Sequence, residues 1–270
     1  MAMKSQREKV TSTDGTPIAI ARAGHGPAVV IVGAGPTDRS ANAPVAEALS
    51  STFTVFNYDR RGRGESGDTT PFSVDREFDD LAAVIDAAGG SAFVYGTSGG
   101  AAIALEAAAR GLGTTMLALW EPPYIVDDEP TRLRPPTDYQ AQLEAAVTAG
   151  RPGDAVELFF TLGIGWPAEW VAPMRDMPSW PAMEALARPL VYDAAIMGDF
   201  RPPTRRLRAL DVPTLLIDGA TVPWITSAVN LVARAIPGAR RQTLTGQPHN
   251  VDAAVIAPAL TEFFTEFFTA

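Results

Sequence analysis

Cysteine is absent from this 270-residue chain, which removes disulfides, zinc–thiolate sites, cysteine nucleophiles and thiol redox chemistry together. Histidine is almost as scarce: His25 and His249 are the only two, so any step that needs an imidazole must use one of them. Long hydrophobic runs are lacking as well. Apolar stretches such as Ala28 to Val32 and Thr115 to Trp120 fall far short of the ~20 residues a membrane-spanning helix requires. The opening Met1 to Lys9 is polar with no apolar run behind it, so no secretory signal is read there and a cytoplasmic protein is expected. Positive charge is in deficit, with 22 basic against 31 acidic residues and a net charge of −9. That balance disfavours nucleic acid or an anionic membrane surface as a partner. The expected partner is a small-molecule substrate, no cofactor or metal is expected, and a homodimer is left open.

What is present is ample apolar material, 46% of the chain, enough for one large α/β domain without staples. Val10 to Ile20 reads as two short strands around a turn at Asp14-Gly15, followed by a strand at Pro27 to Val32. From there strands and helices alternate: helix 41–51, strand 52–57, helix 74–88, strand 92–95, helix 99–110 and strand 114–120. Near-continuous apolar strands separated by helices predict a mostly parallel sheet covered on both faces. At Glu121-Pro122-Pro123 the alternation stops, and helical patches at 138–149 and 154–162 lie among prolines and Trp166, Trp170 and Trp180. It resumes with strand 212–218, helix 224–236, strand 240–244 and a final helix 252–268. The spacing of Phe263, Phe264, Phe267 and Phe268 in that helix predicts a shared buried face. The expected division is a core of 1–121 and 211–270 with a helical lid at 122–210.

The most informative segment is Gly96-Thr97-Ser98-Gly99-Gly100, where an apolar strand runs into Gly-x-Ser-x-Gly and directly into an alanine-rich helix. Such a turn holds a serine in a strained conformation with its hydroxyl projecting, beside the free N–H groups of a helix start. Ser98 is therefore the candidate nucleophile. A serine hydroxyl needs a base to take its proton. His25 lies in Ala23-Gly24-His25-Gly26-Pro27, a turn between early strands, whereas His249 follows the last strand, at the sheet edge where Ser98 is expected. His249 is the candidate base.

The acid that orients such a base should lie between Ser98 and His249 and end a strand. Glu121 and Asp218 both qualify; Glu121, on the strand directly after the nucleophile's helix and stiffened by two prolines, is preferred, with Asp218 as the alternative. Two N–H donors are needed for an oxyanion. Gly99 supplies one, and Ala34 in Val32-Gly33-Ala34-Gly35-Pro36 is the best candidate for the other. The stretch Tyr58-Asp59-Arg60-Arg61-Gly62-Arg63-Gly64-Glu65-Ser66 fits neither nucleotide-binding glycine pattern and reads as an Asp–Arg network bracing a loop. Trp120, Trp166 and Trp170, with Met174, Met177 and Trp180, are candidates for an apolar substrate pocket.

Taken together, the elbow at 96–100, the charged loop at 58–66 and Gly246-Gln247-Pro248-His249 resemble the α/β-hydrolase fold superfamily over nearly the whole chain outside 122–210. The resemblance implies an eight-stranded, mostly parallel sheet, a lid over the site, acylation of Ser98 and proton relay through His249. Two positions depart from the common pattern. Val222 stands in Gly219-Ala220-Thr221-Val222 where many relatives have the acid, and Leu117 to Glu121 is similar to branches, certain haloalkane dehalogenases among them, that place it after the sixth strand. Val32 stands where many relatives have a His-Gly pair. Serine at the elbow argues against dehalogenase or epoxide hydrolase chemistry itself. The expected activity is cleavage of a small, mainly apolar ester or thioester. The alternatives are C–C bond hydrolysis, a lyase or perhydrolase reaction on the same scaffold, or a low-turnover ligand receptor.

Overall fold

The structure is a computed structural model describing residues 5–127 and 129–268; the first four residues of the polar opening lie outside the described residues. Eight strands form one sheet in the order β1-β2-β4-β3-β5-β6-β7-β8. They are β1 (Gln6–Thr11), β2 (Pro17–Ala23), β3 (Ala28–Val32), β4 (Thr54–Tyr58), β5 (Ala92–Thr97), β6 (Thr114–Trp120), β7 (Thr214–Asp218) and β8 (Arg240–Thr243). β1–β2 and β2–β4 pair antiparallel and the other five pairs are parallel. β1 starts earlier than the apolar pattern predicts, because as an edge strand it buries little and carries polar residues.

Side-chain alternation along the parallel strands sorts two cores, one on each face. Val30, Val32, Val94, Leu117, Leu119 and Leu216 face one layer; Val29, Ile31, Phe93, Tyr95, Ala118, Trp120 and Ile217 face the other. The helices that cover them are α1 (Ala43–Leu49), α2 (Val74–Ala87), α3 (Gly99–Ala109), and, after the intervening helical segment, α10 (Pro223–Ala235) and α11 (Ala253–Thr265). Between β6 and β7 lie α4 (Tyr139–Thr148), α5 (Pro152–Leu158), a π-helical turn Phe159–Ile164, α6 (Ala168–Val171), α7 (Trp180–Glu184), α8 (Ala187–Met197) and α9 (Thr204–Leu207). Among the described residues that segment contains no strand.

α11 is shorter than its aromatic spacing predicts. It gives way after Thr265 to a 3-10 turn, Glu266–Phe268, whose tighter winding takes the last two rings off the helical stripe. Phe263 and Phe264 are buried as expected, while Phe267 and Phe268 are half-exposed and meet Phe93 and each other edge-on.

Register determines what meets at the carboxyl edge. Val32 pairs with Gly96, Gly96 with Leu119, and Leu119 with Leu216. The residues just beyond these four level positions are Gly33-Ala34, Ser98, Glu121 and Asp218. The chain reverses its winding between β3 and β5, the crevice position where open α/β sheets bind ligands.

Candidate active site

Ser98 sits between β5 and α3 with φ 53° and ψ −125°, a conformation rarely adopted by a residue with a side chain and worth roughly 1–3 kcal/mol of strain. Its neighbours explain how the turn closes. A Cβ on Gly96 would lie 2.7 Å from Ala101 Cα, and one on Gly100 would lie 2.3 Å from the Val32 carbonyl oxygen. Only glycine lets the strand, the helix and the end of β3 approach this closely. The Ser98 amide donates to the Trp120 carbonyl at 2.9 Å, which anchors the elbow to the next strand.

Glu121 follows β6 with φ 46°, so the backbone swings out of the ladder there and directs the carboxylate along the sheet edge. It is 1% exposed. One oxygen, Oε2, lies 2.5 Å from His249 Nδ1; the other accepts the Gly219 N–H at 3.0 Å. His249 Nε2 is left as the free ring nitrogen, on a side chain 41% exposed. The second carboxylate has a different setting. Asp218 accepts from Thr226 Oγ1 at 2.8 Å, Thr243 Oγ1 at 2.9 Å and Arg241 at 3.0 Å, which ties β7 to β8 and α10. The structure thus brings Glu121, and not Asp218, to His249.

The Gly33-Ala34-Gly35 loop lies against the elbow. A Cβ on Gly99 would stand 3.8 Å from the Gly35 amide nitrogen, and the Gly99 N–H, opening α3, has no acceptor within its helix. His25 is exposed between β2 and β3, at the amino edge of the parallel strands and away from Ser98.

A family model described as "Alpha/beta hydrolase family" matches residues 28–259. The chain belongs to the alpha/beta hydrolase family. An alpha/beta hydrolase from Sphaerobacter thermophilus is 53% identical with TM-score 0.89, over 95% of this chain and 100% of that one. A thermophilic esterase from Thermogutta terrifontis (22%, TM-score 0.75, 97% and 98% covered) shares the fold. So does the 2-hydroxy-6-oxo-6-phenylhexa-2,4-dienoate hydrolase of a Rhodococcus (19%, TM-score 0.69, 97% and 99% covered). No curated protein matches the sequence.

In this hydrolase the charged loop after β4 is a buried ionic cluster. Arg60, Arg61 and Arg63 are each at most 2% exposed. Arg60 pairs with Glu77 of α2 and Asp193 of α8, both at 2.8 Å, and Arg63 grips both oxygens of Asp193 at 2.8 Å. Burial opposes the charge on Arg60, yet Glu77 and Asp193 hold its pKa above the ordinary value; burial and the nearby Arg60 push that of Arg63 down. Arg61 binds Asp80 at 2.7 Å and Asp14 at 3.1 Å. Asp59 accepts from Arg39 and from the Glu65 amide. Through Asp193 the cluster reaches the serine loops: a Cβ on Gly35 would lie 3.2 Å from Asp193 Oδ2 and 3.9 Å from the Phe159 ring.

The aromatic candidates separate. Trp120, expected on the pocket wall, has no exposed surface; it lies in the core layer with Tyr95 and Ile217 because β6 alternation turns it inward. Its indole N–H donates to the His249 carbonyl at 2.8 Å. Trp166 stacks on Phe160 with centroids 5.1 Å apart, Trp170 is largely exposed, and Trp180 is buried with its N–H on Glu184. The sequence singled out neither Phe159 nor Asp193, and it marked Gly219 only as the start of the stretch that lacks the acid. The one available signal was the excess of arginines in a strand-end loop, which demands acidic partners from elsewhere. Among the described residues, no helix is long and apolar enough to cross a membrane.

Proposed function

We propose that this alpha/beta hydrolase is a serine hydrolase cleaving a small, mainly apolar ester or thioester through an acyl-enzyme. Ser98 Oγ attacks the carbonyl carbon while His249 Nε2 takes its proton; the same proton then goes to the leaving alcohol or thiol. Water attacks the acyl-enzyme with His249 again as base, returning the serine and releasing the acid. Glu121 holds Nδ1–H, so that Nε2 is the basic nitrogen, and stabilises the imidazolium formed in each half. The N–H groups of Gly99 and Ala34 receive the developing oxyanion. Residues 122–210 act as a lid whose Phe159 meets the oxyanion loop and contributes apolar surface.

The observation carrying this reading is the 2.5 Å contact between Glu121 Oε2 and His249 Nδ1, at the same sheet edge as a serine held at φ 53°. A buried carboxylate two residues beyond Leu119 has no need of a histidine for sheet stability, and the contact leaves the other ring nitrogen open. A fluorophosphonate probe tests it: the wild type is expected to label at Ser98, and Ser98→Ala to be silent. A wild type that fails to react removes the hydrolase reading. Esters of graded chain length set beside cleavable diketones then separate ester from C–C cleavage.

A further inference from the structure

We propose that Trp120 is a positioning residue that sets the distance between base and nucleophile by holding the backbone of His249; this rests on the reading of His249 as the base. Three contacts meet at this strand end. The Trp120 carbonyl accepts the Ser98 N–H at 2.9 Å, its indole N–H donates to the His249 carbonyl at 2.8 Å, and the next residue, Glu121, holds the His249 ring. Nucleophile and base are therefore both referenced to one residue of β6.

The indole's partner matters. A fully buried tryptophan needs an acceptor for its N–H, and any core carbonyl would satisfy that need. Here the acceptor is the carbonyl of the histidine itself, 129 residues along the chain. The rest of the loop is held further back: Gly246 donates to Gly219, the Gln247 carbonyl accepts from Thr221, and Asp252 N–H donates to the Gln247 side chain. Among the described residues, His249 itself is held by the ring contact with Glu121 and the indole contact, and Val251 packs on the core beyond it. With the indole N–H gone, the ring can stay on Glu121 while the backbone drifts, changing where Nε2 stands relative to Ser98. A displacement of about 1 Å in a reacting geometry costs on the order of 10²-fold in rate.

The test uses Trp120→Phe and, to keep the ring's volume, the full chain with benzothienylalanine incorporated at position 120, where sulfur replaces only the N–H. The fluorophosphonate labelling rate, ester kcat and KM, and the downfield proton resonance of His249 Nδ1–H are measured on folded protein. Both variants are expected to label and turn over about 10- to 100-fold more slowly, with KM within about twofold and the resonance shifted or broadened. The benzothienyl variant decides the matter if Trp120→Phe fails to fold. A wild type that labels, with the benzothienyl variant labelling equally fast and an unchanged resonance, overturns the Trp120 assignment and makes this tryptophan a core residue only. A wild type that never labels overturns the hydrolase reading instead, and the proton transfer that Trp120 would serve falls with it.

Discussion

Glu121 and Asp218 stand at the same level on neighbouring strands, each two residues past the paired Leu119 and Leu216, and both are essentially inaccessible. One is aimed at a histidine and the other is absorbed by two threonines and an arginine. The difference lies in the backbone. Asp218 remains in the ladder opposite Thr243, so its side chain is spent on its neighbours in β8 and α10. Glu121 still gives its N–H to the Ile217 carbonyl at 3.0 Å, but its positive φ turns the chain away from that point and projects the side chain along the edge. Burial and strand-end position are therefore shared properties that do not decide a role; backbone direction and partner do.

Glu121→Gln strikes that comparison hardest. An amide can still hydrogen-bond the ring but favours the wrong tautomer, and kcat for ester hydrolysis is expected to fall by up to about 10⁴-fold. Next in size is Asp193→Asn, which tests a third buried carboxylate whose partners are arginines. It leaves Arg60 and Arg63 with less compensating charge, and unfolding free energy from denaturant titration should drop by about 3–5 kcal/mol. Turnover per folded molecule should change by less than about tenfold, as expected of a group that lies beside the Gly33-Ala34-Gly35 loop and contacts neither Ser98 nor His249.

Gly219→Ala probes the support behind Glu121. The new Cβ would stand 1.9 Å from the Gln247 carbonyl oxygen, so the histidine loop must move, and kcat should fall about 10- to 100-fold in steady-state assays. Asp218→Asn should lower stability by about 1–2 kcal/mol in thermal melts. The smallest effect is electrostatic. Burial resists the charge on Asp14, but hydrogen bonds from Thr16 and Arg61 outweigh it and lower the carboxyl pKa to about 2. Because the folded value lies below the unfolded one, the stabilisation is present above pH ~4 and is lost as pH falls toward 2. Melting temperatures of Asp14→Asn should accordingly vary less than those of the wild type across that window.

Much of this was legible in residues near one another. The alternation of apolar strands and helices, the glycines around Ser98 and the lone histidine after β8 are local patterns, and the fold follows them closely. The choice between Glu121 and Asp218 was open because both are carboxylates at a strand end, and the positive φ that separates them leaves no compositional trace in a Trp-Glu-Pro stretch. The Trp120 contact spans 129 residues, and Asp193 meets Arg60 from 133 residues away; no periodicity reports such pairs. Phe267 and Phe268 show the converse, a helical spacing that continues past the point where the helix itself stops.

Glu121, and not its level neighbour, is expected to orient His249. The most direct measurement is the fluorophosphonate labelling rate of Ser98 in Glu121→Gln and Asp218→Asn, side by side with the wild type. Asp218→Asn is expected to label within about tenfold of wild type and Glu121→Gln to be slower by at least about 10³-fold. Equal rates in the two variants, or the reverse order, would contradict it.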